Sequence, residues 1–223
     1  MFELWSQTLE YQYWGFDSWE NGSVTTMTIL ILILTPIDAW GIWSQNQTVK
    51  QHASGEAVSV IWKAYNTVFF FTFCIYGFWL GSVAITVNTA VLAIVHVMLM
   101  WQLWKANHGF TIAEWVLLVI FSGVMIPMML LFSNKDELYF VFAAVGIAAL
   151  TLQPIKMMRL RSAGVVDLRM IIAYTVSTLP WVPYAYVLGQ WAVLHMSLAT
   201  LLLLGVMFVC WLVFPRRSLA AVH

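Results

Sequence analysis

The sequence predicts an all-α integral membrane protein with seven transmembrane helices, on three observations. First, hydrophobic residues make up 62% of the 223 and charged residues only 9%, with a mean hydropathy of +0.84. A soluble domain carries roughly 25% charged residues, so lipid must be the solvent for most of this chain. Second, apolar runs near the roughly 20 residues that a span requires recur between short polar breaks. Third, basic residues gather on one side of the weave that seven such runs produce.

The elements follow in order. Residues 1–23 are acidic and rich in Trp and Tyr, with no basic start of the kind a cleaved leader has. They read as an extracytoplasmic interfacial helix, an outer plug or, equally, a docking surface for another membrane subunit. Span 1 is expected over residues 24–43, span 2 over 58–80 and span 3 over 83–104, with a tight turn at Gly81-Ser82. Span 4 covers 112–132 and is followed by polar residues 133–137. Span 5 covers 138–152, span 6 covers 170–188, and span 7 covers 191–214, the last two joined at Gly189-Gln190. The organisation is therefore a first three-helix group (24–105), a linker helix (106–136), a second three-helix group (137–217) and a short tail (218–223).

Orientation follows from basic residues, which favour the cytoplasmic side. Lys50, Lys105, Lys156, Arg159, Arg161, Arg216 and Arg217 share one side. Lys135, Glu3, Glu10, Asp17 and Glu20 lie on the other. The amino terminus is thus expected outside, and the carboxyl terminus in the cytoplasm of a bacterial inner membrane or plasma membrane. Lys63 and Arg169 sit near the cytoplasmic starts of spans 2 and 6, where long side chains snorkel to the interface. Trp40, Trp43, Trp101, Trp104, Trp115 and Trp191 fall near span ends, as an aromatic belt requires.

Several classes are disfavoured. A formal net charge of zero gives nucleic acid no basic face. Cys74 and Cys210 fall within apolar runs and read as small hydrophobes, neither disulfide-bonded nor metal-ligating. No zincin, paired-carboxylate or nucleophile-elbow motif is present, so an enzyme is not expected. Asn21-Gly22-Ser23 matches a weak glycosylation sequon on the expected outer side.

The two three-span groups resemble each other. A shift of 108 or 109 positions brings Ser54-Gly55 onto Ser162-Ala163-Gly164, Tyr76 onto Tyr184, and the turn at Gly81 onto that at Gly189. Two parallel triplets need an odd helix between them to restore direction, and span 4 is that helix. Internal repeats are a common plan for secondary transporters, with the site between the repeats.

With these residues in view, the chain resembles the SWEET/PQ-loop (MtN3-like) superfamily of seven-helix transporters. Ser44-Gln45, Lys50 and the run from Ser54 to Ser59 are similar to the first loop element of that family. Gln153-Pro154-Ile155-Lys156 and Arg161-Ser162-Ala163-Gly164 are similar to the second. Trp181-Val182-Pro183-Tyr184-Ala185 and Phe73-Cys74-Ile75-Tyr76-Gly77 resemble its W-x-x-Y-G pattern. The chain departs from the family in lacking the first proline and in inverting the second pair to Gln-Pro. The resemblance implies a SWEET-like 3+1+3 parallel repeat moving a small polar solute, a sugar by default, by alternating access and without a cofactor. It implies a central pocket lined by Asn88 and Ser197, with Trp181 and its counterpart Phe73. Tyr76, Tyr184 and His195 complete the candidate substrate-binding set.

The residues carry their own chemistry. A polar side chain facing lipid is costly, so Asn88 and Ser197 are expected to point inward. There they bind solute or simply hold helices together. An amide with donors and an acceptor beside an indole face suits a hydroxyl-rich solute. Asp38 lies between apolar residues in span 1. It is either a proton-coupling group, with His96 or His195 as partner, or a hydrated residue near the interface. Asp167, Arg169, Lys63 and Glu56 form either an inner-gate charge network or a solvated face. Glu114 reads as a first-turn acid. Pro127, Pro180 and Pro183 are candidate kinks, the last two beside Trp181.

The first functional reading is a carrier. The second, from another class, is a non-transporting accessory subunit or receptor on the same helical plan, favoured by the Trp-rich amino terminus, by Phe73 in place of Trp and by the degraded Pro-Gln motifs. Expected partners are the lipid bilayer, a small polar solute, and a homo-oligomer or another membrane subunit.

Overall fold

The computed structural model describes residues 8–215, and every regular element in it is a helix. In chain order these are α1 (Leu9–Gln12), α2 (Trp19–His52), α3 (Val60–Leu80), α4 (Val83–Ala106), α5 (Ile112–Leu131), α6 (Lys135–Leu160), α7 (Leu168–Thr178), α8 (Trp181–Val187) and α9 (Trp191–Val213). The fold is all-α. Five of these helices, α2, α4, α5, α6 and α9, are long and apolar enough to cross a membrane. The 21-residue α3 carries Lys63, Asn66 and several aromatic residues, which lower its hydropathy. The pair α7 and α8 is split at Leu179-Pro180, where proline removes a backbone donor.

Local chemistry sets the helix ends. Ser18, Ser59, Ser82, Thr111, Asn134 and Asp167 each accept a first-turn backbone N–H. Glu114 completes a reciprocal capping box with Thr111, so it acts in the first turn, as expected. Two helices outrun their expected spans. α2 continues to His52 rather than ending near Trp43, and α6 begins at Lys135 and continues to Leu160. Ser44, Gln45 and Lys50 are therefore helical rather than loop residues. Pro36, Pro127 and Pro154 all lie within helices that run on past them.

The packing repeats. In the first group α2 packs on α4, and α4 on α3. In the second α6 packs on α9, and α9 on α7 and α8. Across the groups, α2 packs on α7 and α8, and α3 on α6, while α5 lies chiefly on α3. The backbone follows the same rule at a constant shift of 108 positions. Ala53 and Arg161, both non-glycine, end α2 and α6 in left-handed conformations (φ 44° and 47°). Ser54 Oγ accepts from Glu56 N as Ser162 Oγ accepts from Gly164 N. Gly81 and Gly189 turn the chain at φ 73° and 66°, a conformation glycine adopts without steric cost.

Two glutamines tie the groups together. Gln45 Nε2 donates to Val165 O (2.8 Å), and Gln45 Oε1 accepts from Asp167 N (2.8 Å). Gln153, 108 positions on, donates to Ala57 O (2.6 Å) and accepts from Ser59 N (2.7 Å). Each amide from one group thus replaces water for two backbone groups in the other, which would be costly to bury unpaired. This end of the bundle is called the glutamine end below, and the opposite end the Gly81 end.

Candidate functional site

Between the two ends lies a cavity lined by α2, α3, α4, α6, α7, α8 and α9. Its volume is about 110 Å³, room for about four waters. Its wall is built in pairs 108 positions apart: Asn66 with Tyr174, Phe69 with Ser177, Phe70 with Thr178, Phe73 with Trp181, Asn88 with Met196, and Leu92 with Thr200.

The aromatic side is continuous. Phe73 stacks on Tyr139 with ring centroids 4.6 Å apart, and Tyr139 on Tyr76 at 4.8 Å, while Trp181 stands 6.5 Å from Phe73. Such rings give flat apolar contact for a solute body. The polar side is sparse. Asn88 is buried and donates to Thr35 Oγ1 (2.9 Å). Ser197 spends its hydroxyl proton on Val193 O, one turn back. Its repeat counterpart is Thr89, which bonds Ile85 O in the same way, so in this register Asn88 corresponds to Met196 rather than to Ser197.

Asp38 breaks the symmetry. Its counterpart is Gly146, where a Cβ would meet the Tyr65 ring at 2.9 Å. The Tyr65 hydroxyl in turn donates to Phe142 O. Asp38 is the one acid in the cavity wall, it is 5% exposed, and its Oδ1 has no hydrogen-bond partner. It lines this buried cavity rather than an exposed surface.

Lys63 corrects a second expectation. It does not snorkel but is wholly buried, with Nζ 3.3 Å from Met170 Sδ and 3.7 Å from the Trp62 ring centroid. A cation on an aromatic face keeps part of its stabilisation away from water. Lys63 therefore leaves Asp167 and Arg169, which pair with each other at 2.9 Å at the glutamine end. Ser44 and Thr48 also donate to Asp167, at 2.8 and 2.6 Å. Burial alone would raise the Asp167 carboxyl, but the bonds from Arg169, Thr48 and Ser44 outweigh it and hold the group below the usual carboxylate range.

The remaining candidates separate by position. His96 is fully buried behind the wall. Nδ1 lies 2.8 Å from Leu92 O and Nε2 2.7 Å from the Tyr174 hydroxyl, so both nitrogens are engaged. The carbonyl can only accept, which makes Nδ1 the donor and Nε2 the acceptor from Tyr174. His195 is exposed, bonded to Trp191 O, and outside the cavity. Tyr76 and Tyr184 lie beyond the cavity at the Gly81 end. Tyr76 OH is 2.6 Å from Asp136 Oδ1 and 2.8 Å from Gln190 Oε1. The six belt tryptophans have exposed rings, Cys210 is buried and Cys74 half-buried. Asn21 lies in the first turn of α2, where its amide donates to Asp17 Oδ1. Arg216, Arg217 and Glu3 lie outside the described residues.

Sequence reasoning missed Asn66, Tyr139, Tyr174 and Ser177 in the wall, and Glu10 at the Gly81 end. Lys63 and Asn66, one turn apart in an apolar run, were a signal that one face of α3 is polar and enclosed. Nothing in the sequence marks where Glu10 docks. No protein family matches the chain, and no curated protein is significantly similar to it.

Proposed function

We propose that this protein is a secondary carrier for a small polar solute, with seven spans in a 3+1+3 parallel repeat of the SWEET/PQ-loop kind. In this reading α7 and α8 together form the sixth span, α3 the second, and α5 the connector. The supporting observation is the cavity between two groups of helices whose hydrogen bonds recur at a shift of 108 positions. Repeat-built carriers place their sites at that junction. Lys50, Lys105, Lys156, Arg159 and Arg161 mark the glutamine end as cytoplasmic, and the Gly81 end as external.

In this reading the solute's body rests on Phe73, Tyr139 and Trp181, and its polar groups meet Asn88, Asn66 and the free oxygen of Asp38. A sugar is the default solute. Asp38 is the coupling group if the carrier moves a proton, because His96 has both nitrogens committed to fixed partners. Alternating access then means parting the cross-group bonds at one end while those at the other hold.

A thermal-shift screen in detergent with sugars, nucleosides and amino acids tests the reading, since a ligand raises the melting temperature only by binding the folded state. A hit that Asn88→Ala abolishes supports the carrier and its site. Silence from all three classes sinks it in favour of the accessory-subunit reading.

A further inference from the structure

The amino-terminal segment makes a contact that the carrier reading does not require. Glu10 in α1 is fully buried, although α1 has only four residues and no apolar core of its own. Its carboxylate is clasped by four donors. Ser82 Oγ donates to Oε1 at 2.6 Å, Ala84 N to Oε1 at 3.0 Å, Val83 N to Oε2 at 3.0 Å, and Tyr184 OH to Oε1 at 2.9 Å. Two of these are free backbone N–H groups in the first turn of α4, where the helix dipole favours an anion. Next to it, Leu9 N donates to Gly81 O (2.9 Å). Further along, Thr25 of α2 accepts from Gly15 N (3.0 Å) and its hydroxyl lies within reach of Tyr13 O and Gly15 O. The segment is thus strapped to α2, to the turn between α3 and α4, and to α8.

Glu10 also supplies something the first group lacks. At the same end, Tyr76 of the first group reaches Gln190 of the second and the acid Asp136 in the first turn of α6. At a shift of 108 positions, Tyr76 corresponds to Tyr184 and Gln190 to Ser82, which do meet at 3.0 Å. Asp136, however, corresponds to Thr28, which carries no acid and whose buried Oγ1 has no partner. Glu10 brings a carboxylate to Tyr184 from outside both groups.

We propose that residues 8–16 form a built-in lid, and that Glu10 locks the Gly81 end of the cavity closed by tying α8 to the α3–α4 turn. The proposal rests on the carrier reading for its purpose, but not for its test. α8 is the segment that can swing: the regular helix is interrupted between it and α7 at Leu179-Pro180, and it carries Trp181 of the cavity wall. For the Gly81 end to open, α8 must leave Ser82, and the Glu10 bonds to Tyr184 and to Val83 and Ala84 cannot all survive that movement. Hydrogen bonds to a charged group are the strong class, so the strap sets how often this end opens.

The test is reagent access to the cavity. Cys74 and Cys210 are replaced by alanine, and Thr200→Cys supplies a single reporter in the wall. Right-side-out vesicles are treated with a membrane-impermeant methanethiosulfonate, and the labelling rate is compared with and without Glu10→Ala. The rate is expected to rise at least about tenfold, corresponding to roughly 1.4 kcal/mol in the opening equilibrium. Tyr184→Phe, which removes one hydroxyl and leaves the strap's backbone contacts, is expected to give a smaller rise and keeps the test open if Glu10→Ala fails to fold. Rates within twofold of the parent in the folded variants overturn the lid. Faster labelling in a protein that binds no solute leaves the lid standing and removes the carrier reading. Solute binding with unchanged labelling does the reverse.

Discussion

Gln153→Leu is the most direct probe of the join between the two groups. The substitution keeps the side chain's approximate volume and removes both hydrogen-bonding atoms. It strands two buried backbone groups, Ser59 N–H and Ala57 C=O, now 2.7 and 2.6 Å from the amide. Gln153 is 1% exposed, so water does not replace it. An abandoned buried donor or acceptor costs about 1–3 kcal/mol. Some of that is returned because leucine is cheaper to bury than an amide, leaving an expected loss of about 2–4 kcal/mol. Gln45→Leu strands Val165 O and Asp167 N in the same way and is expected to cost the same within about 1 kcal/mol. Equilibrium unfolding in mixed detergent, followed by circular dichroism, measures both. A loss below about 0.5 kcal/mol for Gln153→Leu, the range of an ordinary surface change, would refute the claim that these amides hold the groups together.

Three further outcomes are expected. A methyl group at Gly41 would meet Ala173 Cβ at 2.4 Å, whereas one at Gly123 or Gly205 meets nothing within 4 Å. Gly41→Ala should therefore cost about 1–3 kcal/mol by overpacking, while Gly205→Ala stays near parent stability in the same unfolding assay; equal effects would contradict the close approach of α2 and α7. The Asp167 carboxyl is held below its ordinary value, so its ionised form contributes stability above about pH 4 and loses it as pH falls through the native value. The stability gap between parent and Asp167→Asn should be constant above about pH 5 and shrink below pH 4; a gap that widens on acidification would contradict the assignment. If solute movement is proton-driven, Asp38→Asn abolishes the response of uptake to an imposed pH gradient and His195→Ala leaves it intact; gradient-driven uptake by the Asp38 variant would place coupling elsewhere.

The helical class and most helix positions were legible because burial in lipid demands long apolar runs, and the 16% aromatic, 9% charged composition leaves few alternatives. The two glycine turns were legible, since glycine at 81 and 189 meets a conformational need that few other residues meet. Helix ends were not. Ser44, Gln45 and Lys50 look like loop residues to any hydropathy scale, yet all three lie in α2, where the side chains of Ser44 and Gln45 are satisfied within the protein. The polar wall was half legible. Asn88 and Asp38 stood out as isolated polar residues. Lys63 was misplaced because its position near a helix start suits an interfacial lysine equally well, and only the Trp62 and Met170 contacts distinguish the two. Glu10 was illegible because an acidic residue in a short amino-terminal segment carries no pattern; its partners lie 72 to 174 positions away.

The glutamine ties also constrain how the chain can be assembled. Gln45 waits for Val165 and Asp167, 120 and 122 positions later, and Ala57 and Ser59 wait for Gln153, 96 and 94 positions later. During synthesis, α2, α3 and α4 are made with these backbone groups unmatched. They stay so until α6 and the loop after it have followed. The early half is therefore a dependent intermediate, exposed to chaperones and proteases for the time needed to translate the rest. A ribosome stalled before α6 would leave a fragment that is inserted but unable to finish folding.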